Sequence, residues 1–258
     1  MHVKELFDIT GKTAIITGGG RGLGEVISEG FAEAGANIVV CSRKEENCKE
    51  VSEKLKKQYD VKTLAIKCDV TNPEDIKNVV NKTVEAFGRI DILVNNSGAT
   101  WGAPVDEMPI EAFQKVMNVN VLGTFLMSQA VGKVMTKQKS GKIINIASVA
   151  GLKGSNPKYM DAIGYNSSKG AIITFTKDLA VKWGERGIYV NAIAPGFFPT
   201  KMTKVLLERG GESMTSRTPI QRFGSADDLK GVALLLASNA SNYITGETIV
   251  VDGGSNAM

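Results

Sequence analysis

Histidine is almost absent from this chain: His2 is the only one among 258 residues. Serine–histidine–aspartate and cysteine–histidine catalysis are therefore excluded, as is a zinc site with histidine ligands. The three cysteines, Cys41, Cys48 and Cys68, have the spacing of neither a metal site nor a disulfide framework, which favours a reducing compartment. Acid/base chemistry in this chain has to use tyrosine, lysine, serine or carboxylates.

Long apolar runs and runs of a single charge are also missing. No apolar run reaches the ~18 residues of a transmembrane helix, so no membrane partner is expected. The first eight residues lack the apolar segment of a secretory signal, and the expected location is the cytoplasm. The net charge is only +4, with no basic tail, so no nucleic-acid partner is expected either.

Short β-branched runs alternate with longer helical patterns along the whole chain, without a linker or a repeat. This alternation predicts one α/β domain over residues 1–258, a Rossmann-type, doubly wound fold with a seven-stranded, mainly parallel sheet and helices on both faces. The cofactor half is expected at about 10–150 and the substrate half at about 151–258. Strands are predicted at 13–17, 37–41, 63–67, 90–94, 142–147, 188–192 and 248–251, and helices at 23–34, 45–59, 73–87, 110–117, 119–137, 162–185 and 226–237.

A glycine-rich segment, residues 17–24, joins the first predicted strand to the first long predicted helix. Missing Cβ atoms permit a tight turn and let a pyrophosphate approach the N-terminus of the helix. The segment is therefore a candidate dinucleotide site, the alternative being a tight turn without a ligand. The candidate contacts in this turn are Gly18, Gly20, Arg21, Gly22, Leu23 and Gly24.

The residues after the second predicted strand bear on the choice of cofactor. An NAD site usually has an acidic residue there to hold the ribose 2′-hydroxyl, and this chain has Ser42 and Arg43 instead. Arg43 is suited to a 2′-phosphate, and Arg21 could assist it. The pattern favours NADP(H) over NAD(H), with two ordinary surface arginines as the alternative.

Tyr165 and Lys169 stand four residues apart within a predicted helix, so they share one face. A free phenol titrates near pH ~10, and a neighbouring cation favours the phenolate. The pair is a candidate acid/base device. Tyrosine and lysine at this spacing also occur by chance on ordinary surface helices, so the pair alone does not establish the function.

Taken together and in this order, the motifs resemble those of the short-chain dehydrogenase/reductase family over residues 7–254. The gluconate 5-dehydrogenase and 3-oxoacyl-[acyl-carrier-protein] reductase branches are the most similar, on the evidence of residues 99–104 and 195–203. The segments that carry the resemblance are residues 17–24, Cys68-Asp69-Val70, Asn95-Asn96-Ser97-Gly98, residues 119–123, Ser148, Tyr165 with Lys169, and residues 195–200.

The resemblance implies hydride transfer between a nicotinamide cofactor and a secondary alcohol or ketone. Tyr165 would be the acid/base, and Lys169 would lower its pKa and hold the nicotinamide ribose. Ser148 would bind the substrate oxygen, and Asn120 would hold a water that links Lys169 to solvent. The expected substrate is a keto-sugar acid or a polyol; the alternatives are a 3-oxoacyl-[acyl-carrier-protein] reductase and a nucleotide-binding sensor without catalysis.

The resemblance also implies further contacts, no metal, and a homotetramer, with a dimer as the alternative. Residues 197–222 are expected to form a substrate lid that includes a short helix at 201–209, the alternative being a mobile surface insertion. Asp69 has an alternative role, capping the turn before Pro73. The additional cofactor contacts are Asp69, Val70, Asn96, Gly98, Pro195, Gly196, Phe198 and Thr200, and the expected pocket residues are Trp101, Met160, Phe198 and Met202.

One departure from the family pattern concerns the spacing between Ser148 and Tyr165. Sixteen residues separate them, several more than is common in the family. The extra stretch, residues 154–161, is expected to form a longer loop at the mouth of the site. A substrate assignment made by resemblance therefore needs separate support.

Overall fold

The computed structural model describes residues 2–158, 160–199, 215–216 and 218–258. In that part of the chain, seven strands form one sheet in the order β3-β2-β1-β4-β5-β6-β7, and every neighbouring pair is parallel. The strand order reverses between β1 and β4, which opens a crevice at the carboxyl ends of these strands. The strands are β1 Thr13–Thr17, β2 Asn37–Ser42, β3 Thr63–Lys67, β4 Ile92–Asn95, β5 Gly141–Ile146, β6 Ile188–Pro195 and β7 Thr248–Val251.

Helices cover both faces of this sheet, which confirms the predicted doubly wound fold. Ile16 of β1 belongs to the core shared with Phe31 and Leu229, whereas its neighbour Ile15 belongs to the core shared with Val79 and Met127. Both faces of the strand are therefore buried, as its apolar sequence requires. The helices are α1 Val3–Leu6, α2 Gly22–Glu33, α3 Glu45–Tyr59, α4 Pro73–Phe87, α5 Ile110–Met117, α6 Gly123–Gln138, α7 Ile163–Trp183 and α8 Ala226–Ala237.

Local sequence signals explain the bounds of α4, which were predicted correctly. The side chain of Asn72 accepts a hydrogen bond from the Glu74 N–H, and Pro73 is the first helical residue. Gly88 ends the helix with φ +73°, a conformation that favours glycine.

Several boundaries differ from the sequence prediction. β4 begins at Ile92, one residue after Asp91, whose carboxylate accepts a hydrogen bond from the Thr13 N–H at 2.9 Å. β6 continues to Pro195, whose Cα lies opposite Val251 of β7. The helix predicted at 119–137 is a π-helical turn, Asn118–Leu122, followed by α6.

The predicted lid falls largely outside the described residues. The helix expected at 201–209, together with Thr200 and Met202, lies in the undescribed part. A separate observation concerns membranes: of the helices that the structure describes, none has the length and apolarity needed to span a bilayer.

Candidate active site

The glycine-rich turn lies between β1 and α2, at the crevice where the strand order reverses. Gly18 and Gly22 have φ +63° and +60°, in the left-handed region that glycine adopts without strain. A Cβ atom at Gly18 would lie 2.9 Å from the amide nitrogen of Asn96. That amide donates hydrogen bonds to the carbonyls of Thr17 at 2.9 Å and Gly18 at 3.2 Å. The turn therefore requires glycine and is held in place by Asn96.

α2 begins directly after this turn, so its N-terminus lies at the carboxyl ends of the strands, beside the crevice. Arg21 occupies the N-cap position in an extended conformation, and no side chain in the described part caps the helix. The first N–H groups of α2 are thus available to an anion, with the helix dipole aligned to favour it. The glycine cradle and the uncapped helix together fit the pyrophosphate of a nicotinamide dinucleotide.

Ser42, Arg43 and Asp69 lie at the ends of β2 and β3, beside the same crevice. The Ser42 hydroxyl donates to the Lys44 carbonyl at 3.0 Å, and Arg43 is exposed. The Asp69 carboxylate accepts hydrogen bonds from the N–H and hydroxyl of Thr71 at 2.9 and 2.7 Å, so it caps the turn, as its alternative role predicts. Burial opposes its ionisation, but the Thr71 hydrogen bonds and the charge of Arg43 lower the pKa of Asp69 below its usual value.

Tyr165 and Lys169 share one face of α7, as their spacing predicts. The ammonium of Lys169 lies 5.6 Å from the centroid of the Tyr165 ring and donates to the Ile146 carbonyl at 2.6 Å. Lys169 is only 5% exposed, and burial lowers its pKa to about 8. The pair is therefore a buried phenol beside a desolvated amine, and a solvated surface helix is excluded.

The pKa of Tyr165 differs from the sequence expectation. Burial raises it above the ordinary value of 10.0, and the hydrogen bond with Ser148 opposes this rise only in part. The expected lowering by Lys169 is not found, because its ammonium is itself desolvated and directed at the Ile146 carbonyl. The phenol is consequently protonated at neutral pH. Ser148 follows the end of β5, and its oxygen also accepts from the Ala150 N–H at 3.2 Å.

Asn120 lies in the π-helical turn and is 1% exposed. Its amide accepts from the Ala99 N–H at 2.7 Å and donates to the Ala99 carbonyl at 3.0 Å. The same amide donates to the Ser168 hydroxyl at 2.8 Å, which in turn donates to the Tyr165 carbonyl at 2.7 Å. Asn120 therefore links the loop after β4 to the helix that carries Tyr165. Its backbone carbonyl accepts from the Thr124 hydroxyl at 2.7 Å.

The loop after β6 approaches the C-terminal end of β7 closely. A Cβ atom at Gly196 would lie 2.7 Å from that of Asp252, so this position admits only glycine. Phe198 is 5% exposed and belongs to the core, where Gly224 lies against its ring. Its side chain packs inside the protein, and only a small part of it remains available to a substrate or cofactor.

The other expected site residues in the described part of the chain range from buried to exposed. Gly98 is close to Asn120, and a Cβ atom there would lie 3.6 Å from the Asn120 side-chain oxygen. Val70 is buried against Gly123. Trp101 is 47% exposed and Met160 is half-buried. Among the described residues, no group of three or more histidine, cysteine or acidic side chains is placed to hold a metal ion.

A protein-family model described as Enoyl-(Acyl carrier protein) reductase matches residues 18–256 of this chain. The chain belongs to the short-chain dehydrogenase/reductase family. It is accordingly an oxidoreductase with a site for a nicotinamide cofactor. The glycine cradle and the Tyr165/Lys169 pair are the parts of this short-chain dehydrogenase/reductase that its sequence predicted most directly.

Relatives of this short-chain dehydrogenase/reductase differ in their substrates. The 3-oxoacyl-[acyl-carrier-protein] reductase FabG of Aquifex aeolicus is 37% identical over 95% of this chain and 98% of its own length. The 2-dehydro-3-deoxy-D-gluconate 5-dehydrogenase of Bacillus subtilis is 38% identical over 98% of both chains. The crystal structure of a gluconate 5-dehydrogenase from Burkholderia cenocepacia in complex with NADP and tartrate is 34% identical, with a TM-score of 0.93 and complete coverage of both chains.

A buried polar chain beneath the site of this short-chain dehydrogenase/reductase was missed by the sequence reasoning. The Asn95 amide donates to the Ser128 hydroxyl and to the Asn145 side-chain oxygen, both at 2.9 Å. The Asn145 amide donates to the Thr176 hydroxyl at 2.9 Å, so the chain connects α6 with α7 across β4 and β5. The sequence signal that could have revealed this chain is Asn145, a polar residue inside the apolar run 143–146. Ser168, which binds Asn120, was missed in the same way.

Proposed function

We propose that this chain is an NADP(H)-dependent dehydrogenase/reductase that interconverts a secondary alcohol and a ketone, with Tyr165 as acid/base. One observation carries the proposal: the buried Tyr165 phenol is hydrogen-bonded to Ser148 and lies beside the buried Lys169, at the edge of the sheet that also holds the glycine cradle. When bound, the nicotinamide supplies or accepts the hydride.

In the reductive direction, Tyr165 donates its proton to the carbonyl oxygen of the substrate. The Ser148 hydroxyl hydrogen-bonds the same oxygen and stabilises the negative charge that develops there. Lys169, with a pKa of about 8, stabilises the phenolate left after proton transfer and would hold the nicotinamide ribose. A water on the backbone carbonyl of Asn120 would return a proton from solvent by way of Lys169. Oxidation of the alcohol reverses these steps.

The preference for NADP(H) rests on the residues at the ends of β2 and β3. Ser42 stands where an NAD site has a carboxylate, and the neighbouring Arg43 lies close enough to Asp69 to lower its pKa. A 2′-phosphate placed there would pair with Arg43, and Arg21 in the turn would add a second cation. The B. cenocepacia structure with NADP is consistent with this choice.

The proposed substrate is a keto-sugar acid or a polyol. The gluconate dehydrogenase relatives support it, and the tartrate in one of their structures is a polyhydroxy carboxylate. A 3-oxoacyl-[acyl-carrier-protein] reductase is the second candidate, favoured by the A. aeolicus relative. A sensor without catalysis is a poorer explanation, because it would not need Asn120, Ser148, Tyr165 and Lys169 together.

The test is a screen of NADPH oxidation and NADP reduction with keto-sugar acids, 3-oxoacyl thioesters and simple ketones. Turnover with the first group supports the proposed substrate class, and turnover with thioesters alone supports the second candidate. A chain that binds NADPH tightly but reduces none of these compounds would be a sensor. A higher kcat/KM with NADH than with NADPH would contradict the cofactor preference.

We infer a homotetramer in the cytoplasm. Large apolar side chains are exposed on adjacent helices, including Ile110 on α5 at 71%, Phe125 on α6 at 43% and Ile163 on α7 at 39%. A second copy covering these helices would remove that surface from water. Light scattering after size-exclusion chromatography distinguishes a tetramer from a dimer. The three cysteines are buried free thiols, as a reducing compartment favours.

A further inference from the structure

The extra stretch before α7 is fastened to the rest of the protein by two side-chain hydrogen bonds. We call residues 152–158 and 160–161 the strap. Near its start, the Lys153 ammonium donates to the Ser255 carbonyl in the C-terminal segment at 2.5 Å. In its middle, the Ser155 hydroxyl accepts from the amide of Asn166 on α7 at 2.9 Å. The strap is thus joined to both the C-terminus and the catalytic helix.

The end of the strap is joined to the loop after β4. The Asp161 carbonyl accepts from the Ala103 N–H at 3.0 Å. Gly102 permits this approach, because a Cβ atom there would already lie 3.3 Å from the same oxygen. Trp101, one residue earlier, is half-exposed beside the junction. A backbone bridge therefore closes the gap between the strap and the loop that Asn120 holds.

The strap is also ordered internally. The side-chain oxygen of Asn156 accepts from the Lys158 N–H at 3.0 Å, and the Asn156 carbonyl accepts from the Met160 N–H at 3.0 Å. A turn with its own hydrogen bonds and three outside attachments has little freedom to swing away from the site. We expect it to act as a fixed wall.

Asn166 couples this wall to the proton donor. It directly follows Tyr165, and its side-chain oxygen is buried without a partner among the described residues. Leaving a polar atom buried and unpaired costs about 1–3 kcal/mol, so an asparagine is a poor choice for packing alone. The hydrogen bond from its amide nitrogen to Ser155 gives the position a use. It fixes the strap relative to the residue next to Tyr165.

We propose that the strap selects substrates by size, admitting small polar hydroxy-ketones and excluding ketones carried on the long arm of an acyl carrier protein. This inference rests on the proposed function. A carrier-bound thioester has to keep its arm extended from Tyr165 to the surface, and the Lys153 and Asn166 attachments hold the strap beside the start of the helix that carries Tyr165. A small free ketone has no such arm. The strap carries polar side chains, including Ser155 and Asn156.

The test removes the two side-chain attachments of the strap, leaves the Ala103–Asp161 backbone bridge in place, and measures which substrates the enzyme then accepts. The double variant Lys153→Ala/Asn166→Ala removes both side-chain attachments. Lys158→Ala is the matched control, because this lysine lies on the same strap and its ammonium has no partner among the described residues. The probes are 5-ketogluconate, acetoacetyl-N-acetylcysteamine as a short thioester, and the same acetoacetyl group on acyl carrier protein.

In the unmodified enzyme, we expect kcat/KM for the carrier-bound thioester to be at least about tenfold below that for the short thioester. In the double variant, the ratio of kcat/KM for the short thioester to kcat/KM for the carrier-bound thioester should fall about tenfold. In Lys158→Ala this ratio should stay unchanged. Hydrogen exchange of the strap amides should rise in the double variant only. If the double variant does not fold, Ser155→Ala cuts the Asn166 attachment alone and should give a smaller change in the same direction.

Equal turnover of the two thioesters by the unmodified enzyme would overturn the proposal. So would an unchanged ratio in a double variant whose strap amides exchange faster, or strap amides that exchange no faster once both attachments are removed. Failure of the proposed function gives a different result, since an enzyme that binds NADPH would then reduce none of the three probes, with the strap intact or released.

Discussion

The ammonium of Lys169 donates a hydrogen bond to the carbonyl oxygen of Ile146 at 2.6 Å, which joins α7 to the end of β5. Ser148 lies two residues beyond Ile146, so the same short segment positions both neighbours of the Tyr165 phenol. Burial accompanies this arrangement and lowers the pKa of Lys169 to about 8. The proposed proton donor, Tyr165, is therefore held by strand β5 as well as by its own helix.

Replacing Tyr165 with phenylalanine removes the proposed proton donor and little else. We expect kcat to fall about 10²- to 10⁴-fold, the usual contribution of general acid/base catalysis. Binding of NADPH, measured by fluorescence titration, should change little, because the ring remains. Tyr59→Phe is the matched control, since that phenol binds Glu29 and Glu33 far from the site. A near-normal kcat in Tyr165→Phe would remove Tyr165 from the chemistry.

The Arg43→Ala variant tests recognition of the 2′-phosphate. Hydrogen bonds to charged groups are worth about 1.5–3 kcal/mol, so kcat/KM for NADPH should fall roughly 10- to 100-fold. The value for NADH should stay nearly constant, because NADH lacks that phosphate. Lys44→Ala serves as the control, since it removes an adjacent exposed cation. The backbone carbonyl of residue 44, which accepts the Ser42 hydrogen bond, is retained in this variant. Equal losses with both cofactors would show that Arg43 acts on the fold and does not read the phosphate.

The parts of the fold that sequence predicted well carry their signals locally. The bounds of β1 and α4 were correct because the continuous apolar run of β1, the Asn72 cap and Gly88 are all recognisable in short stretches of sequence. The glycine cradle belongs to the same class, since its positive φ angles require particular residues at particular positions. The π-helical turn around Asn120 carries no such local signal and was predicted as ordinary helix.

Features that depend on contacts between distant residues could not be predicted from the sequence. The attachment of Lys153 to Ser255 joins positions 102 residues apart, and neither residue type is unusual at its place. The pKa of Tyr165 was predicted in the wrong direction for a related reason. The spacing of Tyr165 and Lys169 shows that they are neighbours, but only the folded structure shows how deeply both are buried.

Gly24→Ala tests the packing of the glycine cradle. A Cβ atom at this position would lie 2.5 Å from the Gly18 carbonyl oxygen and would also collide with the Asn96 amide. We expect the free energy of unfolding to fall by about 1–3 kcal/mol, and NADPH binding to weaken as the turn shifts. Urea unfolding and a fluorescence titration measure the two effects.

Gly231→Ala is the control for this substitution, because Gly231 is also helical. Nothing in the described structure lies within 4 Å of a Cβ atom there. Alanine has the higher helix propensity, so this variant should gain up to about 1 kcal/mol. Similar losses in both variants would mean that helical glycine itself is needed and that the collision in the cradle is not the cause.

Lys142 predicts how stability depends on pH. Its ammonium is buried, 3.0 Å from the Ser241 hydroxyl and 3.9 Å from the centroid of the Tyr189 ring, and burial lowers its pKa to about 8 from 10.5. Between pH 8 and 10.5 the unfolded chain holds more protons than the folded one, so the free energy of unfolding rises with pH. This gain is lost as the pH falls through 8. Lys169 contributes in the same direction.

The best window for this measurement is pH 8 to 9. Burial raises the pKa of the Cys48 thiol above 9.0, and that shift acts in the opposite direction at higher pH. Each buried lysine should add about 1 kcal/mol to the free energy of unfolding across the window.

Lys142→Met should roughly halve the rise and increase stability near pH 7, because it removes a buried charge at the expense of one ring contact. Urea unfolding at pH 7, 8 and 9 measures both effects, with Lys133→Met on the exposed face of α6 as the control. If the free energy of unfolding rises as steeply with pH in Lys142→Met as in the unmodified protein, the pH dependence comes from other groups.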